Sequence, residues 1–306
     1  MSVSWLQQSE RSTSGVLGIM SWIARRLGRG AARLLLYPIS AYFVVFSRRS
    51  RRASSDYLRR MRSVEPTWRD IFRHYHCFAS TILDRIYLLS GRHDLFDIRI
   101  HGREALQRYE SSSGGGCLLL GAHLGSFELL RSLGTLHFKL PIRVLMYEEN
   151  ARKVGELLRA MNSDLATRII PIGLPDTLIR VKEALERGEM VGMLGDRLLS
   201  DHAAVVCDFL GDRAQFPTGP VRLATLFRVP VVLFFGLYRG GNRYDIHFEL
   251  LSESLHGARN SPEQIREWTQ KYVERLEYYC RLAPYNWFNF YDFWVPDAPA
   301  AVRAAA

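Results

Sequence analysis

The chain has 306 residues and a formal net charge of +10, and it is 47 % hydrophobic, 12 % aromatic and 24 % charged. That composition excludes a disordered chain, a collagen-like repeat and a low-complexity scaffold, and the length suits one large α/β domain or two small ones. Four cysteines, Cys77, Cys117, Cys207 and Cys280, lie far apart with no C-x-x-C pair, which argues against a disulfide framework, a structural zinc site and a redox motif.

The charge is unevenly placed. Residues 1–62 hold twelve arginines and two acids, Glu10 and Asp56, so the whole excess sits there and the remaining 244 residues balance. A basic leader on a neutral body points to a negative partner: a membrane surface, nucleic acid or an acidic protein. Residues 14–47 are densely apolar but interrupted by Arg25, Arg26, Arg29 and Arg33, and the unbroken run Leu34 to Ser47 is 14 residues, where a straight span needs about 20. The strongest charge block, residues 48–52, follows the apolar run, unlike a secretory signal. Trp5, Trp22, Tyr37 and Tyr42 suit a headgroup layer. The expectation is a membrane-associated helix lying in, or dipping into, one leaflet, each arginine near anionic headgroups contributing roughly 1 kcal/mol; the alternative is a core helix of a soluble protein. Residues 1–62 then form a membrane-associated segment, and 63–306 the catalytic domain. Nucleic acid is disfavoured, because no recognised nucleic-acid module follows the basic segment.

Helices are predicted over 54–63 and 66–92, the second with apolar residues at helical spacing through Ile71, Phe72, Tyr75, Phe78, Ile82 and Ile86. Short apolar runs then mark strands at 117–122, 142–147, 168–172, 190–195 and 230–238, with an alternating strand at 244–251. Helical patterns lie between them at 125–137, 150–163, 176–188 and 218–228, and a long helix is expected over 262–282. This alternation predicts an α/β fold with a mixed, mostly parallel sheet flanked by helices. The SSSGGG tract at 111–116 reads as a loop before a central strand.

The sequence lacks a G-x-S-x-G elbow, a G-x-x-x-x-G-K-[ST] loop, an H-E-x-x-H pair and a G-x-G-x-x-G turn. What it has is an apolar strand running into Gly121-Ala122-His123-Leu124-Gly125-Ser126-Phe127-Glu128, where a helix begins. Ligands bind at the carboxyl ends of strands in open α/β sheets. A neutral imidazole there can take a proton from an attacking hydroxyl or amine, and a carboxylate can fix its tautomer, the role expected of Glu128. An H-x4-acid pair is common by chance with nine histidines and 31 acids in the chain, so spacing alone does not decide. Ser126 lacks the elbow and is not read as a nucleophile. His74 and His76 beside Cys77 lie in an amphipathic helix short of further ligands, so no metal is expected there.

This constellation resembles the glycerolipid acyltransferase superfamily, with its H-x4-D/E signature at a strand end. More closely, most of the chain resembles the bacterial lipid A biosynthesis acyltransferases of the lauroyl/myristoyl type. The resemblance rests on Gly121 to Glu128, on the strand Met190 to Gly195 ending in Asp196-Arg197, on Phe209-Leu-Gly211 with Phe216-Pro-Thr218-Gly219-Pro220-Val-Arg222, and on Val229-Pro230-Val-Val. The opening residues and the ending Pro284 to Trp294 instead resemble a predicted branch associated with aryl polyene lipid biosynthesis.

The resemblance implies acyl transfer from an acyl carrier protein or CoA thioester to a lipid hydroxyl or amine, at the cytoplasmic face of the inner membrane, with no cofactor and no metal. His123 is then the base and Glu128 its orienting carboxylate. Asp196 and Arg197 either open toward the same face as substrate contacts or form a structural ion pair at a loop. Thr218 and Gly219 either hold a phosphate or oxyanion on helix amides or simply cap a helix, and Arg222 either adds charge one turn on or lies on a solvated face. The aromatic run 285–294 is read as core packing. The alternatives are an acyl-CoA lysophospholipid acyltransferase, disfavoured because Phe216-Pro-Thr-Gly-Pro replaces the F-P-E-G-T-R expected of it, a hydrolase using water as acceptor, and a non-catalytic lipid-binding protein.

Overall fold

The computed structural model describes residues 14–107, 109, 115–130, 142–147, 168–198, 203–253 and 261–294, with side chains from residue 28 onward. The helical patterns at 131–137 and 150–163, residues 111–114 of the Ser/Gly tract, and the side chains of Trp5, Trp22, Arg25 and Arg26 lie outside this set.

Three helices open the chain: α1 (Ser14–Phe46), α2 (Arg48–Arg62) and α3 (Trp68–Leu89). α1 breaks at Gly28, whose φ of 77° only glycine adopts without strain. The part from Gly28 to Phe46 meets α2 at a bend of 96°, and among the described residues no single helix is long and apolar enough to cross a membrane. Arg29 and Arg33 do not point to headgroups as the sequence suggested. Arg29 grips the fully buried Asp84 of α3 at 2.8 and 3.0 Å, and Arg33 donates to the Gly241 carbonyl and the Tyr238 hydroxyl. A buried carboxylate needs such partners, and Asp84 also accepts from the Tyr244 hydroxyl. α2 buries Tyr57, Leu58 and Met61 in the main core, so the second half of the basic segment packs into the body.

α3 starts at a capping box in which Thr67 and Asp70 satisfy each other's backbone amides. The strands are β1 (Asp97–His101), β2 (Cys117–Gly121), β3 (Ile142–Tyr147), β4 (Ile169–Ile172), β5 (Met190–Leu194), β6 (Ala204–Phe209), β7 (Asp212–Pro217), β8 (Val231–Gly240) and β9 (Arg243–Ser252). Among the described residues, helices after β1 include α4 (Glu104–Gln107), α5 (Thr177–Glu186), α6 (Gly219–Phe227) and α7 (Pro262–Leu282), with a further helical turn at 128–130. Seven strands form one sheet in the order β1-β9-β8-β2-β5-β3-β4, parallel throughout except where the β8–β9 hairpin turns back. β2 and β8 are buried along their paired lengths, which explains their continuous apolar runs.

Two features escaped the sequence reading. β1 is an edge strand, DIRIH, with alternating exposed and half-buried residues and little apolar signal. β6 and β7 form a separate antiparallel hairpin whose turn places Leu210 and Gly211 at positive φ. This hairpin packs against α7.

Core packing of the 285–294 run holds in part. Trp287 is fully buried, packed against Tyr57, Phe209 and Phe293. His74 of α3 links this segment to α2: its Nε2 donates to the Trp287 carbonyl and its Nδ1 accepts from the Ser54 hydroxyl, both at 2.8 Å. This fully buried ring is therefore neutral, and burial pushes its pKa down to about 4. Between pH 6.5 and 4 the unfolded chain takes up a proton that the folded chain refuses. Stability is thus fully present above pH 6.5 and falls toward pH 4, by about 3 kcal/mol from this group. Urea midpoints measured from pH 7.5 to 4.5 will fall steadily in the wild type and less steeply in His74→Gln; a flat wild-type profile contradicts the assignment.

Candidate active site

The register of two neighbouring strands builds the site. β2 and β5 are parallel, with Gly121 opposite Leu194. Two residues beyond each paired end stand His123 and Asp196, at the carboxyl edge of the sheet where side chains can meet. The Asp196 Oδ1 accepts from His123 Nδ1 at 2.8 Å, and its Oδ2 accepts from the His123 amide at 3.0 Å. Asp196 has no exposure, whereas the His123 side chain is 27 % exposed. The carboxylate on the ring is therefore Asp196, which sits behind the histidine and faces no solvent, rather than opening beside it as the sequence suggests.

Glu128 opens the helical turn described at 128–130 and is buried, with its Oε1 2.6 Å from an Arg85 guanidinium nitrogen of α3. Nδ1 carries a single proton and already points it at Asp196, so the tautomer-fixing bond expected of Glu128 comes from a residue 73 positions away.

Two donors missed in the sequence complete the Asp196 shell. The Trp287 indole Nε1 and the Asn289 amide Nδ2 donate to Oδ2 at 3.0 and 2.8 Å. The segment carrying them runs across the strand ends: Phe288 N donates to the His123 carbonyl at 2.7 Å, and Gly125 N donates to the Asn286 carbonyl at 2.8 Å. The Asn286 side chain pairs with both backbone groups of Tyr238 on β8. Only the aromatic richness of the segment was visible in sequence.

Burial alone would raise the Asp196 carboxyl, but the adjacent His123 ring, its hydrogen bonds and Arg197 together hold it at about 2. Burial and then the Arg197 charge push His123 below 6.5, against the pull of Asp196. At neutral pH the pair is an aspartate and a neutral imidazole with Nδ1 protonated. His123 Nε2 makes no hydrogen bond among the described residues, and its lone pair is the basic site.

Arg197 donates from Nε to the Asn289 Oδ1 at 2.8 Å and from Nη2 to the Phe288 carbonyl at 3.1 Å. Thr218 is buried, and both its amide and its hydroxyl donate to the Ala203 carbonyl at 3.0 Å. Neither can hold a phosphate, and the hydroxyl caps no helix. Gly219 and Arg222 are exposed at the start of α6, whose Pro220 packs toward Gly195 at the end of β5. Ser126 is buried, its amide donating to the Gly236 carbonyl at 2.8 Å.

His101, Asp245 and His247 bring ligand atoms within 4.8 Å of one another across β1 and β9. Arg239 already holds Asp245 at 2.7 Å, and the adjoining cleft is lined by Arg99, Arg239 and Arg243 against Asp97 and Asp245. A divalent cation would meet a net positive surround there.

The fold is an α/β one with a mostly parallel sheet, and the His123–Asp196 pair stands at the carboxyl edge of that sheet, where ligands bind in such folds. A family model described as bacterial lipid A biosynthesis acyltransferase matches residues 18–294, so the chain belongs to that family and is an acyltransferase acting on lipid. No curated protein matches the chain.

Gly125 of the histidine motif has a φ of 71°, and a Cβ there would overlap the Gly236 carbonyl oxygen of β8. Gly125→Ala will therefore lower stability by more than about 1 kcal/mol, read as a drop in Tm; an unchanged Tm contradicts this packing.

Proposed function

We propose that His123 is the general base for transfer of an acyl chain from a thioester, on an acyl carrier protein or CoA, to a hydroxyl or amine of a lipid acceptor. The observation that carries this reading is the hydrogen bond from His123 Nδ1 to the buried Asp196, which leaves Nε2 basic on the exposed side. Nε2 takes the proton of the acceptor O–H as the oxygen attacks the thioester carbonyl. The tetrahedral intermediate then expels the thiolate, and the imidazolium returns its proton to sulfur. Asp196 stabilises the transient imidazolium and stays ionised itself. The Arg197 charge disfavours a resting imidazolium, and on this reading the same charge favours a developing oxyanion. Glu128, the second half of the motif, acts on this reading by tying the turn after His123 to α3 through Arg85. Gly219 and Arg222 are the part of the α6 stretch kept for a phosphate of donor or acceptor.

The test supplies radiolabelled acyl carrier protein or acyl-CoA and a total lipid extract to purified wild type and His123→Ala in detergent. Wild type forms a new acylated lipid, and the variant loses about 10²–10⁴ of the rate. Release of free fatty acid alone supports the hydrolase instead, and an untouched thioester with both donors supports a binding protein. Imidazolium cannot accept the proton, so kcat/KM falls as pH drops through the His123 pKa, and this acid limb lies below pH 6.5. A limb above 6.5 contradicts the assignment. The ending from Pro284 to Trp294 makes polyene-type acyl lipids part of the acceptor screen.

We further propose that the protein works at the cytoplasmic face of the inner membrane, resting on the surface. Leu34, Tyr37, Tyr42, Val45 and Phe46 of α1 and Trp68 of α3 are each more than half exposed, and Arg48, Arg49 and Arg52 stand exposed beside the end of that apolar face. This pairing of apolar and cationic groups suits an anionic headgroup layer. Wild type will float with vesicles containing anionic lipid, and Val45→Asp/Phe46→Asp will stay in the soluble fraction; equal flotation of both contradicts this surface.

A further inference from the structure

We infer that Asn289 and Trp287 are positioning residues for the reaction: they hold the Asp196 carboxylate, and through it the His123 ring, in the orientation that leaves Nε2 basic. This rests on the reading of His123 as the base.

Asp196 Oδ2 collects three donors, the His123 amide, Trp287 Nε1 and Asn289 Nδ2, at 3.0, 3.0 and 2.8 Å. With that oxygen saturated, Oδ1 is left for the ring Nδ1. A carboxylate is free to rotate about its Cβ–Cγ bond unless both oxygens are held, and here rotation would break four charge-assisted hydrogen bonds at once, three on Oδ2 and one on Oδ1. Asn289 has a second task. Its Nδ2 faces Asp196 while its Oδ1 accepts from Arg197 Nε at 2.8 Å. The amide stands between the cation and the anion, contacting each with the group of matching polarity. Arg197 therefore does not close a direct ion pair on Asp196 through that Nε.

The two residues are placed from several sides. Asn286 is paired to the Tyr238 backbone, Phe288 N to the His123 carbonyl, and the Trp287 carbonyl to His74. Asn289 is 1 % exposed and Trp287 fully buried, so neither reaches substrate, and any effect they have on the chemistry passes through Asp196. Core packing alone accounts for the Trp287 ring but not for an asparagine with both ends of its amide matched to the site.

The test is made on the full chain in detergent with Asn289→Ala and Trp287→Phe, which each remove one donor from Oδ2. Two readouts are taken. The first is the ¹H/¹⁵N NMR signature of the His123 Nδ1 proton, assigned by its loss in His123→Ala. In wild type it is a low-field proton with Nε2 unprotonated; in each variant it shifts or broadens as the second tautomer gains population. The second is kinetics: kcat falls about 10- to 100-fold, by analogy with removal of the outer-shell partners that orient metal-bound histidines, while KM for the thioester stays within twofold. Trp287→Phe also leaves a gap in the core, and if it does not fold, Asn289→Ala alone decides. The inference is overturned if a folded Asn289→Ala keeps the wild-type Nδ1 signature and kcat. If wild type itself transfers no acyl group, the base reading fails, and the NMR comparison still decides whether Asn289 and Trp287 set the tautomer.

Discussion

A carboxylate shut away from water must find its donors inside the protein, and the Asp196 carboxylate finds four. They come from a strand end, from the ring that follows it, and from two residues about ninety positions later. Leaving such a group unsatisfied would cost several kcal/mol. The fold around the site can be understood as the arrangement that supplies those donors. The register of β2 against β5 sets His123 beside Asp196, Tyr272 and Gly195 both donate to the Gly121 carbonyl to fix the end of β2, and the last segment crosses the strand ends to deliver an indole and an amide.

The same economy of partners ties the periphery to this centre. His74 connects Ser54 of α2 to the Trp287 carbonyl, so the helix that follows the basic apolar run is linked through one neutral imidazole to the residue that donates to Asp196. Arg29 and Arg33 fasten α1 to Asp84 and to the β8–β9 turn. The exposed apolar face of α1 is thereby held at a fixed place on the body.

Much of this was legible in the sequence, for physical reasons. Strands buried on both faces must be runs of Val, Leu and Met, and β2, β3, β5 and β8 were read to within a residue or two of their ends. α7 carried an N-cap serine and a proline at its start and was read to its bounds. β1 was not read, because an edge strand with one side in solvent needs little apolar residue. The β6–β7 hairpin was missed because its turn is Leu210-Gly211 rather than an Asn-Gly or Asp-Gly pair. His123 stands out in sequence by its place at a strand end and, above all, by the motif's resemblance to the acyltransferase signature. Its partner does not: local spacing offers Glu128, whereas the ring bonds Asp196, and the choice is made by inter-strand register, which no local pattern encodes. The roles of Trp287 and Asn289 depend on a segment folding back over the sheet, and the sequence shows only that it is aromatic. Thr218 looked like a cap or an anion site because it precedes a helix, but the β6 side of the chain takes both of its donors.

On the proposed reading, the Asp196 charge makes His123 a base. The most direct measurement is kcat/KM for acyl transfer by Asp196→Asn, compared with wild type at equal Tm-verified folded fraction. An asparagine keeps the shape but can present its NH₂ to the ring, which favours the wrong tautomer. The account predicts a loss of about 10³-fold or more, as when the corresponding aspartate of a catalytic triad is made neutral. A folded variant within tenfold of wild type would contradict it.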